Sequence, residues 1–391
     1  MSIIIQDLRD PLNSAKQGLY YVGDRAYHNK VNAIAEATRT DQPVTWDFNS
    51  LLYQSVCKSE PLGVSLNDLY RMRAQQLREQ YDYLILAFSG GADSDNILQT
   101  FVDNNICLDE VWTDWPAELI EKSNYVLSTS TDPRNMPSEW HLVVKPTLEN
   151  LRINNPEIKI HVSDASATLS DIESEEEIQS VLSIPLFFSG TKRYKYIQQY
   201  ITTKFAGKRV CLITGVDRCN PTVKKGEYGF VLVDTPLFVK SNHTVHGDPY
   251  IVECFYWTPD LPHIPVEQAR KVWQYLFANR DFFSKNYRCL APGSGAWRQR
   301  LNEVNRAVTA IIYPKWDWSK HQVDKAQFIN NAHYGYVNNF QNHRFYQGGV
   351  STVNNLLSVF AKDTYFDKRP GHETELVAFS NFHSLGNLSN A

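Results

Sequence analysis

Leu84, Ile85, Leu86, Ala87 and Phe88 follow one another without a polar interruption. A strand with one wet face alternates apolar and polar side chains, so an unbroken run reads as a strand covered on both faces, as in a parallel sheet. The run ends in Ser89-Gly90-Gly91-Ala92-Asp93-Ser94, after which Ile97, Leu98, Phe101 and Val102 recur at helical spacing. Strand, glycine-bearing bend and helix are thus expected in immediate succession. Gly90 and Gly91 open backbone conformations closed to other residues and bring main-chain N–H groups, expected to point outward, within reach of a ligand. The N-terminus of the following helix favours negative charge, and Ser89 and Ser94 add hydroxyl donors. Asp93 is out of place beside an anion unless it caps the helix, positions a metal ion, or does both. A strand-turn-helix connection with Ser and Asp acting only as caps is the competing reading.

In this setting the segment Ser89 to Ser94 resembles the signature of the PP-loop ATP pyrophosphatases. That family includes asparagine synthetase, GMP synthetase, NAD synthetase, argininosuccinate synthetase, 7-cyano-7-deazaguanine synthase and several tRNA-modifying enzymes. The resemblance implies a Rossmann-like, doubly wound α/β domain with a mostly parallel sheet, whose signature loop holds the pyrophosphate of ATP with Mg2+. It implies an AMP-forming enzyme that activates an acceptor carboxylate or carbonyl oxygen as an adenylate, releases pyrophosphate and admits a nitrogen nucleophile. On that footing Ala87, Phe88, Ser89, Gly90, Gly91, Asp93 and Ser94 are the expected nucleotide-binding residues, with Asp93 also a catalytic and metal-binding candidate. Relatives that carry a glutaminase expose an N-terminal cysteine after removal of Met. This chain begins Met1-Ser2, so no glutaminase domain is expected in it and nitrogen would come from ammonia, a substrate amine or another protein.

A second apolar run, Arg209 to Thr214, ends in Gly215-Val216-Asp217-Arg218. In open α/β sheets ligands collect beyond the carboxyl ends of the strands, so this loop and the Ser89 bend are expected to face one cleft. Gly215 would lie near the nucleotide, and Asp217 would act as a catalytic and metal-binding residue. PP-loop synthetases often carry a glycine and an Asp-Glu pair at this point, whereas here Arg218 replaces the second acid; a plain turn aspartate is the alternative. Between the two loops, Thr191-Lys192-Arg193-Tyr194-Lys195-Tyr196 opens a helix in which Ile197, Ile201 and Phe205 face inward. Cations at a helix N-terminus oppose its dipole, so Lys192 and Arg193 are candidates for gripping phosphate or a carboxylate substrate, Arg193 in a catalytic role. Solvated charges on an exposed turn are the competing reading. Lys224 and Lys225 are further candidates for ligand contact.

Other nucleotide motifs are missing. Gly-x-x-x-x-Gly-Lys-Ser/Thr does not occur, and Gly293-Ser294-Gly295 has Arg298 where a dinucleotide fingerprint needs its third glycine. The formal charge of −4 over 391 residues gives no overall pull toward nucleic acid or membrane. No apolar stretch approaches the roughly 20 residues that span a bilayer, and the N-terminus lacks a signal peptide's basic region and cleavage site. No membrane partner and a cytoplasmic location are expected. Cys57, Cys107, Cys211, Cys219, Cys254 and Cys289 form no Cys-x-x-Cys pair, which points to reduced thiols and away from a cysteine-based metal site. His243 and His246 with Asp248 resemble a small metal cluster, yet no further ligand at standard spacing accompanies them.

Three regions are expected: an irregular N-terminal extension over residues 1–64, a PP-loop α/β domain over 65–258 and a helical C-terminal domain over 259–391. An amphipathic element is expected from Trp46 to Val56. Ser65 with Asp68 resembles a capping box for a helix that buries Leu66, Leu69, Tyr70 and Leu77. Further strands are expected at Glu110 to Asp114, Ile158 to Ser163 and Arg209 to Thr214, spaced for crossover helices and therefore parallel. The acidic run Asp171 to Glu177 reads as the solvated first turn of a helix. Beyond Pro259, Val266, Ala269, Val272, Trp273, Leu276 and Phe277 have helical period, stretches at Trp297 to Ile311 and Gln322 to Ala332 resemble it, and the segment after Pro370 reads as a partly ordered tail. Tryptophan, tyrosine and basic residues in this region suit core packing or a planar, nucleotide-like acceptor. The acceptor is expected to be a small molecule or nucleotide-like. Two further functions compete: thiolation or amidation of a nucleobase or tRNA, which would bring a nucleic-acid partner, and ATP binding by a regulatory module without turnover. Oligomeric state is not legible.

Overall fold

A computed structural model describes residues 4–5, 18–28, 30–115, 140–164, 197, 199–215, 218–234, 250–281, 301–316, 365–366 and 376–388. Lys192, Arg193, Asp217, the acidic run 171–177, the His243–Asp248 cluster, Gly293–Gly295 and the stretch 322–332 all lie outside the described residues.

The chain opens with β1 (Ile4–Ile5), β2 (Leu19–Val22), β3 (Arg25–Tyr27), helix α1 (Lys30–Thr40) and β4 (Val44–Asp47). These strands form a four-stranded sheet of order β1-β3-β2-β4, on which α1 buries Ala33, Ile34 and Ala37. The described residues of the N-terminal region therefore form sheet and helix where the sequence suggests an irregular extension. The strands have two to four residues, too few for alternation to stand out, although Tyr20, Val22, Val44 and Trp46 do alternate inward. The amphipathic element expected from Trp46 to Val56 divides into the end of β4 and helix α2 (Ser50–Lys58), with Asn49 at φ 48° between them.

Helix α3 (Leu66–Gln80) starts at Ser65, whose hydroxyl accepts the Asp68 N–H at 3.1 Å and donates to the Asp68 carboxylate at 2.7 Å. It buries Leu66, Leu69, Tyr70, Ala74 and Leu77. Then come β5 (Tyr83–Ala87), α4 (Ala92–Asp103), β6 (Glu110–Trp115), a π-helical turn at Trp140–Val144 running into α5 (Lys145–Asn154), β7 (Lys159–Asp164) and β8 (Val210–Thr214). A hairpin of β9 (Asn220–Lys224) and β10 (Glu227–Val231) follows, then β11 (Tyr250–Cys254), α6 (His263–Ala278) and α7 (Leu301–Ile312). Short strands β12 (Tyr365–Phe366) and β13 (Leu376–Val377) pair with each other, and β14 (His383–Asn387) pairs antiparallel with β10. The expected tail thus supplies an edge strand.

The central sheet has five parallel strands in the order β11-β8-β5-β6-β7. Alternate residues of β5 serve two separate apolar clusters. Leu84 and Leu86 pack with Ile97, Phe101, Leu148 and Leu151 of α4 and α5, whereas Tyr83 and Ile85 pack with Ile197, Ile201 and Phe205. Helical residues therefore cover both faces, which explains the unbroken apolar run. From β5 the chain moves outward through β6 and β7, then returns to the other flank of β5 through β8 and β11. The reversal lies between β5 and β8, and this is the topological switch point of a doubly wound, Rossmann-like sheet.

Candidate functional site

The bend after β5 stands at that switch point, beyond the carboxyl end of the strand. Ala87 is the last residue of β5. Phe88 extends the ladder by donating its N–H to the Trp112 carbonyl at 2.8 Å, and its ring is buried, so only its backbone faces the bend. Gly90 takes φ +80°, a conformation that side-chain-bearing residues resist, and this turns the chain from strand to helix. Gly91 has an ordinary φ of −75° and forms the N-cap of α4 with no side-chain cap. The first-turn amides of a helix have no acceptor within the helix, so an uncapped α4 meets an anion with unused donors and the positive end of its dipole.

The bend is braced from within. Ser94, 4% exposed, donates its hydroxyl to the Gly91 carbonyl at 3.1 Å and accepts the Ser89 N–H at 3.2 Å. The exposed Ser89 places its hydroxyl 3.3 Å from the Gly91 N–H and 3.3 Å from the Ser94 hydroxyl. The Gly91 N–H, expected to point outward, is engaged inside the loop, and Ser94 acts as a strut. The donors that remain suited to a ligand are those of the first turn of α4, with the Ser89 hydroxyl beside them.

Asp93 lies in that turn with its side chain 33% exposed. Its Oδ1 accepts the Tyr313 hydroxyl at 2.7 Å and lies 3.9 Å from the Arg218 guanidinium. The Asp93 carbonyl accepts the Tyr256 hydroxyl at 2.6 Å, and Asn96 Nδ2 donates to that same phenol at 3.1 Å. Burial, reinforced by the Asp93 charge, pushes the Tyr256 and Tyr313 phenols well above their ordinary value, so both remain protonated donors. Tyr256 and Tyr313 are ring neighbours at 5.3 Å, with Tyr70 edge-on to Tyr256 at 5.6 Å.

Gly215 follows β8 and lies directly against this turn. A Cβ there would come within 3.1 Å of the Asp93 carbonyl carbon, 3.1 Å of Ile97 Cδ1 and 3.2 Å of Asp93 Cβ. The two loops read from the sequence as sharing a cleft are thus in contact. Asp93, Ser89, Gly90, Gly91, Ser94 and Gly215 come together; Lys192, Arg193 and Asp217 lie outside the described residues. Lys224 is the last residue of β9, beside the Lys225-Gly226 turn.

Arg218, Tyr256 and Tyr313 are the site residues that sequence reasoning missed. In the sequence Arg218 stands only as a departure from an acidic pair, yet it brings a cation to the bend. Tyr256 carries a faint signal, since it lies two residues past the carboxyl end of β11, the edge strand beside β8. Tyr313 carried none, because its partner is 220 positions away.

Among the described residues no three His, Cys, Asp or Glu side chains gather as a metal centre. Asp93, at the turn that faces Gly215, offers a part-exposed carboxylate suited to a hard cation such as Mg2+, and the donor-rich turn suits phosphate. A separate cavity of about 440 Å3 lies between α4, α5 and Lys315–Trp316, lined by Leu98, Gln99, Asp103, Val143 and Leu151 among others, and no residue of the Ser89–Ser94 bend reaches it. None of the five described cysteines is joined in a disulfide, and no described helix is long and apolar enough to cross a membrane. No family model matches the chain, and no curated protein matches it.

Proposed function

We propose that the chain binds ATP with its terminal phosphates at the Ser89–Ser94 bend and works as an AMP-forming ligase of the PP-loop type. The observation that carries this reading is the coincidence of an uncapped helix start, a glycine at φ +80° and the abutting Gly215 loop at the switch point of a parallel sheet. The first-turn amides of α4 would hold the phosphates, the Ser89 hydroxyl would add a donor, and Ser94 would keep the bend in shape. Arg218 would offset charge on the nucleotide from the opposite loop. Mg2+, when bound, would neutralise charge that develops on the departing pyrophosphate, and Asp93 is the described carboxylate placed to hold it.

In the reaction proposed, an acceptor carboxylate or carbonyl oxygen attacks the α-phosphorus, the bond to the bridging oxygen of pyrophosphate breaks, and a nitrogen nucleophile then displaces AMP. The chain's contribution is positional and electrostatic. The test is incubation of the protein with α-labelled Mg-ATP across carboxylate, nucleobase and tRNA acceptors, with ammonia or amines as donor. AMP and pyrophosphate are expected. ADP as the product would overturn the ligase, and ATP bound with no AMP under any acceptor would make the chain a nucleotide-binding regulator.

A further inference from the structure

Asp93 presents a physical conflict that the site resolves. An aspartate in the first turn of a helix ordinarily turns its carboxylate onto the amides of its own turn, where the dipole favours it. Here that would place a fixed negative charge among the donors an incoming anion needs. The structure shows the opposite arrangement: the N-cap of α4 is Gly91, which has no side chain to offer the first-turn amides, and the Asp93 carboxylate is engaged by the Tyr313 phenol at 2.7 Å, with the Arg218 guanidinium at 3.9 Å from the same oxygen.

We propose that Tyr313 is a positioning residue that holds the Asp93 carboxylate off the first-turn amides of α4 and so keeps the anion cradle open, making nucleotide binding depend on the seating of α7. The inference rests on the nucleotide reading above and deepens it. Tyr313 is the residue immediately after α7, and it is itself held in place. Its N–H bonds to the Thr309 carbonyl at 2.7 Å, while the preceding Ile312 carbonyl accepts the buried Tyr70 hydroxyl at 3.1 Å. Gln268 of α6 donates to that same Tyr70 oxygen at 3.0 Å. Two residues on, Lys315 pairs with Asp103 at 2.5 Å. The Tyr313–Lys315 turn is therefore fastened to both ends of α4, Asp93 in its first turn and Asp103 in its last. Tyr256 fixes the backbone of the same residue through the Asp93 carbonyl, so the phenol of Tyr313 acts on a carboxylate whose main chain is already anchored. Loss of the Tyr313 hydroxyl removes its hydrogen bond to the carboxylate, leaving Arg218 at 3.9 Å, and its hydrogen-bonding contact with the Tyr256 phenol, while the ring stays in place and the Asp93 carbonyl keeps the Tyr256 hydroxyl as its donor.

The test is calorimetric titration of the full-length chain with inorganic pyrophosphate in EDTA, so that no metal ion confuses the role of Asp93. Tyr313→Phe is expected to weaken pyrophosphate roughly tenfold, the scale of one hydrogen bond to a charged group. In an Asp93→Asn background the same change is expected to have no effect, because the competing charge is gone. A merely structural tyrosine would lower affinity equally in both backgrounds, and that result overturns the inference, as does wild-type affinity in Tyr313→Phe. Should Tyr313→Phe not fold, Lys315→Ala, which loosens the same turn at its exposed pair with Asp103, takes its place: weaker pyrophosphate binding with Asp93 present and no such loss with Asp93→Asn supports the inference, and the same loss in both backgrounds, or none in either, overturns it. A wild-type chain that binds neither pyrophosphate nor ATP removes the nucleotide reading itself, a failure distinct from insensitivity to Tyr313.

Discussion

A single methyl group at Gly215 would be felt by both loops of the site. The ideal Cβ lies 3.1–3.2 Å from atoms of Asp93 and Ile97, two of them in or next to the backbone of the α4 first turn, so neither side yields cheaply. Gly215→Ala is therefore expected to destabilise the fold by about 1 to 3 kcal/mol through overpacking and to weaken ATP more than that loss alone implies, because the displaced element is the anion-binding turn. Chemical denaturation alongside equilibrium dialysis of ATP checks it; unchanged stability and affinity would show that the contact relaxes freely. At this scale, what the sequence made legible was local. Ser65 caps α3 and Gly90 turns the bend because each is dictated by neighbours a few residues away. The Tyr313–Asp93 bond spans 220 positions and the Arg218–Asp93 approach spans the whole reversal of the sheet, so no local pattern encodes either.

Elements with an unbroken apolar run or a helical period were legible, and strands with neither were not. β5, β6, β7 and β8 fall where apolar runs placed them, and α6 buries Val266, Ala269, Val272, Trp273 and Leu276 as its spacing required. β14 reads His-Ser-Leu-Gly-Asn, in which only His383 is buried, so the strand carries no apolar run or alternation to announce it. Its anchor is His383, fully buried between Tyr53 and Phe230 at ring distances of 5.2 and 5.1 Å, with neither ring nitrogen hydrogen-bonded. Burial pulls its imidazole down from 6.5 to about 4. Above pH 6.5 the ring is neutral folded and unfolded alike, and its burial costs nothing in protonation. Between pH 6.5 and 4 the unfolded chain takes up a proton that the folded chain refuses, so stability falls as the pH falls. At about 1.4 kcal/mol per pH unit, the loss approaches about 3 kcal/mol by pH 4. His383→Phe is expected to remove that part of the slope. Urea midpoints across pH 4 to 7 for the two proteins test this, and parallel curves would mean that His383 does not titrate out of step with the unfolded chain.

The strand order is a property of the whole molecule, and it turns two separate motifs into one site. The sequence contains two apolar strands that each end in a glycine-bearing loop, but nothing in either strand states that they are neighbours. Only the reversal of winding between β5 and β8 makes them so. The same non-local packing joins regions that composition had separated near residues 64 and 258. Trp257, 1% exposed and three residues past β11, packs edge-on against Phe48 at 4.6 Å and Trp46 at 6.1 Å, and Tyr53 donates to the Thr258 carbonyl at 3.2 Å. Tyr20 of β2 reaches Asp234 beyond β10 at 2.8 Å. One apolar cluster runs from Tyr20 through Leu84 and Trp273 to Ala378. A cluster shared in this way predicts that the N-terminal sheet and the parallel sheet unfold together. Trp257→Ala should then cost about 3 to 5 kcal/mol, the range for deleting a buried aromatic, and the loss should register equally in amide exchange of residues 44–47 and of residues 83–87. If protection falls only in the N-terminal strands while β5 keeps its full protection, the two sheets are separate cooperative units, and the Ser89 bend draws its rigidity from the parallel sheet alone.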